Sequence, residues 1–344
     1  MNEIYVCAIG LITPLGAEPA MLKAAIDAGL NSYQICKLPG TDDESLTFSP
    51  VPEDAFAVRI PAQLPGMSLP QIRMLKLATF ALLDVKPQLP DAPLPLFLAG
   101  PDAYYQGGGV NQAFIGNLVN ATGVTLDYTH SRYVAKGRAG AMEMLQAAFD
   151  YFAQTGADYA LVGGIDSFYD LRTLGLLHEQ HRLTGEDVAD GFVPAEAATF
   201  LLVASPQMKH RLQKRPLLTL HKPATMYENG HLFSDAPYRA EALAAAVSVA
   251  IEKAGAIVNR IFSAENGESH YSSEMSLAIL RNQKQLIADC PIQRPAENVG
   301  DLGAAFPLVA IGLASVDMHI RSGVTLVIAS SDNGLRGAIA LSAC

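Results

Sequence analysis

Short apolar runs alternate with amphipathic runs along the whole chain. The apolar runs are too continuous for strands with one face in water, so they are typical of a sheet that helices cover on both faces. The predicted strands are 4–13, 95–100, 124–130, 158–166, 198–205, 216–226, 260–265, 325–331 and 337–343. The predicted helices are 19–29, 110–120, 140–156, 238–255, 271–288 and 302–320. This alternation predicts an α/β protein with a largely parallel sheet.

The order of predicted elements is similar in two halves of the chain. Each half opens with a strand and a helix, continues to a long apolar helix and closes with two strands. The basic segment 205–216 lies between the halves. We therefore predict a duplicated αβ unit, with an N-terminal half at 1–205 and a C-terminal half at 206–344. Two independent doubly wound domains are the alternative, which the lack of a GxGxxG or GxxxxGK[ST] phosphate loop in the sequence disfavours.

Composition restricts the classes of function. Half of the residues are hydrophobic and 17% are charged, which excludes a disordered chain. The net charge of −10 disfavours a nucleic-acid partner. The most apolar stretch, 302–316, has 15 residues, whereas a membrane span needs about 20. The four cysteines share no CxxC spacing, so we expect no metal site and a protein of the reducing cytoplasm. We also expect no cofactor and no segment that enters the membrane.

Five short segments, in chain order, resemble motifs of the β-ketoacyl-ACP synthases of the thiolase superfamily. They are GLITPLG at 10–16, the stretch from GAMEML to LVGG at 140–164, DGFVPAEAA at 190–198, GDLGAA at 300–305 and NGLRG at 333–337. The resemblance implies a thiolase fold, in which two αβ repeats form a five-layer αβαβα sandwich. It also implies a homodimer whose two-fold axis lies beside the strand before the nucleophile helix, which is 124–130 here. Asp190 and Glu196 would hold a turn of the core.

The catalytic residues of the family are not matched. The resemblance implies a cysteine at a helix N-terminus and two histidines, but an ungapped alignment places Arg138 at the cysteine position. Arginine has a pKa above about 12 and cannot serve as the nucleophile. Glu265 falls at the first histidine position, and Gly300 and Asp301 fall at the second. These three differences predict that condensing activity is absent.

Arg138 therefore needs a structural explanation. A cation at a helix N-terminus is unfavourable by roughly 0.3–1 kcal/mol unless it is compensated. Glu265 and Asp301 would lie near it in the family fold, so we expect Arg138 to pair with one of them and plug the former active site. The alternative is that Arg138 points to solvent.

Two further polar residues belong to the segment in which the first histidine is lost. They are Glu268 and His270. His270 is either a displaced catalytic imidazole or a histidine of a loop or helix cap. Ser269 resembles an N-cap, which favours the second interpretation.

The resemblance leaves three functions open. The first is a non-catalytic binding or accessory protein, because residues 263–268 resemble short thiolase-like proteins encoded beside type VI secretion effectors. The second is an acyltransferase that uses other residues. The third is a partner of an active synthase, similar to a chain-length factor. The implied partners are a second copy of the chain, a secretion effector or adaptor, a true synthase or an acyl carrier protein.

Overall fold

The computed structural model describes residues 1–37, 45–56, 60–61, 64–105, 109–185, 188–317 and 323–344. Its strands are β1 (Glu3–Ile12), β2 (Gln34–Lys37), β3 (Ser45–Phe48), β4 (Leu96–Gly100), β5 (Arg132–Ala135), β6 (Tyr159–Ser167), β7 (Glu196–Ala204), β8 (Leu218–His221), β9 (Ala224–Tyr227), β10 (Val258–Ser263), β11 (Ile292–Gln293), β12 (Val324–Ser330) and β13 (Leu335–Ser342). Its α-helices are α1 (Pro19–Asp27), α2 (Leu69–Val85), α3 (Gln112–Thr122), α4 (Gly140–Thr155), α5 (Leu171–Glu179), α6 (Glu241–Ala254), α7 (Ser269–Asn282), α8 (Ala296–Val299) and α9 (Phe306–Val316).

Two groups of strands have the same order. The first is β5-β4-β6-β7-β1, in which β5, β4 and β6 are parallel and β7 is antiparallel to both of its neighbours. The second is β11-β10-β12-β13, in which β10 is parallel to its neighbours and β13 is antiparallel to β12. Strands β8 and β9 pair with β13, at the place that β1 has in the first group. Strand β8 also pairs with β1, with Ile4 opposite Leu220, so hydrogen bonding runs through both groups.

Helices separate and cover the two strand groups. The central helices α4 and α9 contact strands of both groups, and the largest apolar cluster lies around them. Helices α2 and α3 cover the outer face of the first group, and α6 and α7 cover that of the second. The predicted α/β class with a five-layer αβαβα order is confirmed. The expectation of a largely parallel sheet is wrong, because six of the ten strand pairings described in the large sheet are antiparallel.

The segment between β7 and β8 joins the two strand groups. Strand β7 ends at Ala204 and β8 begins at Leu218. The predicted division into 1–205 and 206–344 falls in this segment, and it stays a prediction. No helix in the described ranges is long and apolar enough to cross a bilayer.

The predicted strand 124–130 is wrong. Leu126 forms an isolated bridge with Leu94, and the residues that follow make a turn around Asp127. The Asp127 carboxylate accepts hydrogen bonds from the backbone N–H of Thr129 and from His130, which gives the backbone an alternative to strand pairing. The edge strand is β5, which pairs with β4.

Other boundaries also differ from the sequence expectation. The run 216–226 divides into β8 and β9 at Pro223, which has no N–H to donate to a sheet. The predicted helix 302–320 begins as α9 only at Phe306, after a 3-10 turn, and its residues 318–320 lie outside the described ranges. Helix α2 was not predicted from the sequence, and its capping box pairs Ser68 with Gln71.

Candidate functional site at the amino end of helix α4

Arg138 lies in a single 3-10 turn directly before α4. Gly137 opens the turn with φ of +63°, a left-handed value that favours glycine. The N–H of Ala139 donates to Oγ of Ser331 at 2.8 Å, which ties the turn to the end of β12. The Arg138 side chain is 5% exposed. A buried cation therefore stands where the helix dipole disfavours positive charge.

Two aspartates compensate Arg138. Its Nε donates to Oδ2 of Asp301 at 2.7 Å, and Nη1 donates to Oδ1 of Asp332. The guanidinium also lies over the rings of Tyr271, at 5.2 Å, and Phe192, at 5.6 Å. Burial lowers the pKa of Arg138, but the attraction of the two aspartates raises it further, so the net pKa is raised. Arg138 is therefore charged in the folded protein.

Arg182 is a second buried cation beside the first. Its Nε and Nη2 donate to the two carboxylate oxygens of Glu268, both at 2.7 Å, and its Nη1 donates to Oδ2 of Asp332 at 2.8 Å. Asp332 also accepts from the hydroxyl of Tyr105 at 2.6 Å. Burial raises the pKa of Asp332, but the two arginines lower it further and hold it well below its usual range.

These contacts form one continuous network. We call it the charged cluster, and its members are Arg138, Arg182, Glu268, Asp301 and Asp332. Two cations face three carboxylates, and every member is more than nine-tenths buried. Such a network is stable only when its hydrogen bonds are satisfied together.

Gly300 and Asp301 bring a carboxylate to Arg138. Gly300 has φ of +74°, and a Cβ there would lie 2.8 Å from the carbonyl oxygen of Val193. The Asp301 carboxylate also accepts from the N–H of Gly303 at 2.9 Å and from Nδ2 of Asn266 at 3.0 Å. Of the two partners expected for Arg138, Asp301 is therefore the one that contacts it.

Glu265 is directed elsewhere. Its carboxylate accepts from Nε of Arg294 at 3.1 Å, and no contact with Arg138 is found in the described residues. Burial raises the pKa of Glu265, and Arg294 opposes that shift.

His270 lies in the first turn of α7, outside the charged cluster. Its ring packs against Tyr238 at 4.8 Å and Tyr271 at 5.1 Å, and its Nε2 is buried without a hydrogen-bond partner in the described ranges. Burial lowers its pKa. The helix cap is Glu268, so Ser269 is the first helical residue and not the predicted N-cap. The N–H and hydroxyl of Ser269 donate to Asp190, both at 2.6 Å.

Two other motif residues hold buried ion pairs. Glu196 accepts from Nε of Arg73 at 3.0 Å and from the hydroxyl of Ser167 at 2.7 Å. Arg336, the second residue of β13, donates to Glu274 at 2.6 Å, and both side chains are fully buried. The first pair joins α2 to β7, and the second joins α7 to β13.

Several residues of the site were not predicted from the sequence. Arg182, Asp332, Tyr105 and Tyr271 make direct contacts in the charged cluster. Asp166 lies nearby, where its carboxylate accepts from the N–H groups of Ser167 and Ala304 at 2.9 and 2.8 Å. Burial raises the pKa of Asp166 to about 7. The one sequence signal was the position of Asp332 directly before the NGLRG motif.

Little space is left beside Arg138. In the described residues it borders a cavity of about 20 Å³, which is room for one water molecule. The other lining residues are Pro101, Asp102, Tyr105, Gly137, Asp166, Phe168, Thr173, Gly303 and Asp332. No group of three histidine, cysteine or acidic side chains suited to a metal ion occurs in the parts of the chain described.

Comparisons with known proteins rest on structure. No protein-family model matches the chain, and no curated protein sequence matches it. Among solved structures, it is similar to one chain of the complex between a type II polyketide synthase acyl carrier protein and its ketosynthase, with a TM-score of 0.77, 14% identity and coverage of 100% of both chains. The ishigamide ketosynthase/chain length factor gives a TM-score of 0.76 and 15% identity, over 100% of this chain and 99% of that one.

A β-ketoacyl synthase from Burkholderia phymatum matches in the same way, with a TM-score of 0.72 and 14% identity over 100% of both chains. The identities are low, so these likenesses establish the fold and nothing finer. The strand order, the central helix pair and these neighbours together show that the chain has the thiolase fold of ketosynthases and chain length factors.

Proposed function

We propose that this chain is a thiolase-fold protein without condensing activity that acts by binding another protein. The observation that carries the proposal is the burial of Arg138 and its pairing with Asp301 and Asp332. The sequence resemblance places this arginine at the position of the nucleophilic cysteine. Two carboxylates hold the Arg138 side chain in place, and the cavity beside it has room for one water molecule. A thioester does not fit in that cavity.

The charges at the site also oppose the chemistry. Condensation needs an activated nucleophile and hydrogen-bond donors aimed at the developing oxyanion. At the two positions where the resemblance places the histidines, the chain has Glu265 and the pair Gly300-Asp301, and an ionised carboxylate only accepts hydrogen bonds. A negative group at these positions would repel an enolate or oxyanion.

The proposal is tested with a malonyl thioester of acyl carrier protein as substrate. We expect no release of carbon dioxide above the rate without protein. Arg138→Cys is expected to be equally inactive, because the aligned histidines are missing as well and such residues act as a unit. Decarboxylation by the unmodified protein would support the alternative, a condensing enzyme or acyltransferase with non-standard residues.

A partner of an active synthase is the second candidate function. It is supported by the similarity to a solved ketosynthase/chain length factor over the whole chain. Co-expression with a ketosynthase, followed by purification through a tag on this chain, is the test. A stable 1:1 complex would favour this role over a self-contained accessory protein.

Homodimer formation through the edge strand is part of the proposal. Strand β5 pairs on one side with β4, and Tyr133 on it is 47% exposed. An unpaired edge of this kind is a template for pairing with a second copy. Tyr133→Asp should convert a dimer to a monomer by light scattering, whereas Leu280→Asp, an exposed control on α7, should not.

A role in type VI secretion effector handling rests on the resemblance of residues 263–268. Asn266 and Glu268 of this segment belong to the polar network around Asp301 and Arg182. Co-purification with an effector or adaptor encoded beside the gene tests this role.

A further inference from the structure

One segment of the chain has a charge opposite to the rest. No acidic residue occurs between Glu196 and Glu228, whereas five lysines and arginines do, in a chain with a net charge of −10. Four of these cations fall within seven residues, and they are Lys209, Arg211, Lys214 and Arg215. We call the stretch Lys209–Leu217 the basic strip.

The basic strip faces solvent. Its four cations and His210 are all exposed. The ion pair described for it joins Arg211 to Asp158 at 3.5 Å. Their side chains are 65% and 41% exposed, so that pair neutralises the strip weakly. Lys209 lies over the Tyr5 ring at 5.4 Å, which fixes one end of the strip against β1.

The strip lies far from the charged cluster. Gln207, just before it, donates to the carbonyl oxygen of Gly156 at 2.8 Å, and Gly156 caps the carboxyl end of α4. Arg138 precedes the amino end of the same helix. Sixteen helical residues at about 1.5 Å each separate the two sites by about 24 Å.

We propose that the basic strip is a docking surface for an acidic segment of a partner protein. Arginine and lysine side chains pair well with carboxylates, and a local patch of the opposite sign steers association. Leu217, which is 44% exposed, adds an apolar contact of the kind that protein interfaces contain. A long nucleic acid would instead extend beyond the four cations of the basic strip. The rest of the chain has a net negative charge, which repels phosphates.

The test uses a labelled 20-residue peptide of glutamate, aspartate and leucine, with an otherwise identical glutamine and asparagine peptide as the control. Fluorescence anisotropy should show binding of the acidic peptide alone, at least tenfold weaker in 300 mM than in 50 mM salt. The variant Lys209→Glu/Arg211→Glu/Lys214→Glu should weaken binding at least tenfold. The matched variant Arg172→Glu/Arg239→Glu/Lys284→Glu, with the same change of net charge at other exposed sites, should stay within twofold.

Three results would overturn the inference. They are no binding of the acidic peptide, equal loss in the two triple variants, and tighter binding of single-stranded DNA or phosphatidylserine vesicles than of the peptide. Circular dichroism checks that both variants fold. Because the strip is separate from the charged cluster, the outcome is independent of whether condensing activity is absent.

Discussion

Arg138 is the residue on which the site depends. Its removal would leave the buried carboxylates of Asp301 and Asp332 without their shared cation. Breaking a buried ion pair from one side costs on the order of 3–5 kcal/mol. We therefore expect Arg138→Ala to lower the free energy of unfolding by about that amount in urea denaturation. Arg211→Ala, at an exposed arginine, is the control and should change it by less than about 0.5 kcal/mol; equal effects would contradict a buried cluster.

Asp166 gives the protein a pH-dependent stability. Its pKa is raised from 3.8 to about 7 by burial, with Asp301 adding to the shift and Arg138 and the N–H of Ala304 opposing it. The folded state therefore binds the proton more tightly than the unfolded state. The resulting stability is fully present below about pH 4 and is lost as the pH rises to about 7.

The variant Asp166→Asn, which cannot ionise, isolates this contribution. Its unfolding free energy minus that of the unmodified protein should increase steadily from pH 4.5 to pH 7.5. Urea denaturation at four pH values in that interval measures it. A difference that is constant with pH would show that Asp166 does not titrate there.

Part of the site could be predicted at this scale. Arg138 and Asp301 could be named because each lies in or beside a short motif that resembles one of the β-ketoacyl synthases, at a position where those enzymes have a known residue type. Arg182 and Asp332 were missed because each is a single charge, and the contact between them joins residues 150 positions apart. Glu265 was expected to pair with Arg138, but it pairs with Arg294 instead. The local sequence pattern does not show which cation a loop carboxylate contacts.

Among the elements, α2 begins with a capping box whose contribution to stability can be measured. Ser68 and Gln71 satisfy each other's backbone N–H groups in a capping box, and the helix packs on β1 and β7. Ser68→Ala should cost about 0.5–2 kcal/mol of unfolding free energy. Ser273→Ala, at an exposed position inside α7, should cost less than half as much in the same denaturation series.

The predictability of an element depends on its surroundings. Fully buried strands such as β4, β6 and β7 are continuous apolar runs, and the sequence placed them within two residues. Helix α2 was missed because it is buried on most sides and lacks a simple apolar stripe. The strand expected at 124–130 failed because the Asp127 side chain stabilises a turn that apolar content alone does not reveal.

At the scale of the molecule, the charged cluster connects the two predicted halves. Arg138 and Arg182 belong to 1–205, whereas Glu268, Asp301 and Asp332 belong to 206–344. Helices α4 and α9 also pack against strands of both groups. We expect the chain to unfold in one cooperative step, with equal calorimetric and van't Hoff enthalpies. Two resolved transitions in the calorimeter would show that the halves are independent.

The proposal that this chain carries out no covalent acyl chemistry is tested most directly by intact-protein mass spectrometry. The purified protein is incubated with a saturating acyl thioester of acyl carrier protein, beside an active ketosynthase as the positive control. The account predicts the unmodified mass for this chain and an acyl adduct for the control. An acyl adduct in one-to-one ratio, mapped by peptide sequencing to a residue of or beside the charged cluster, would contradict it.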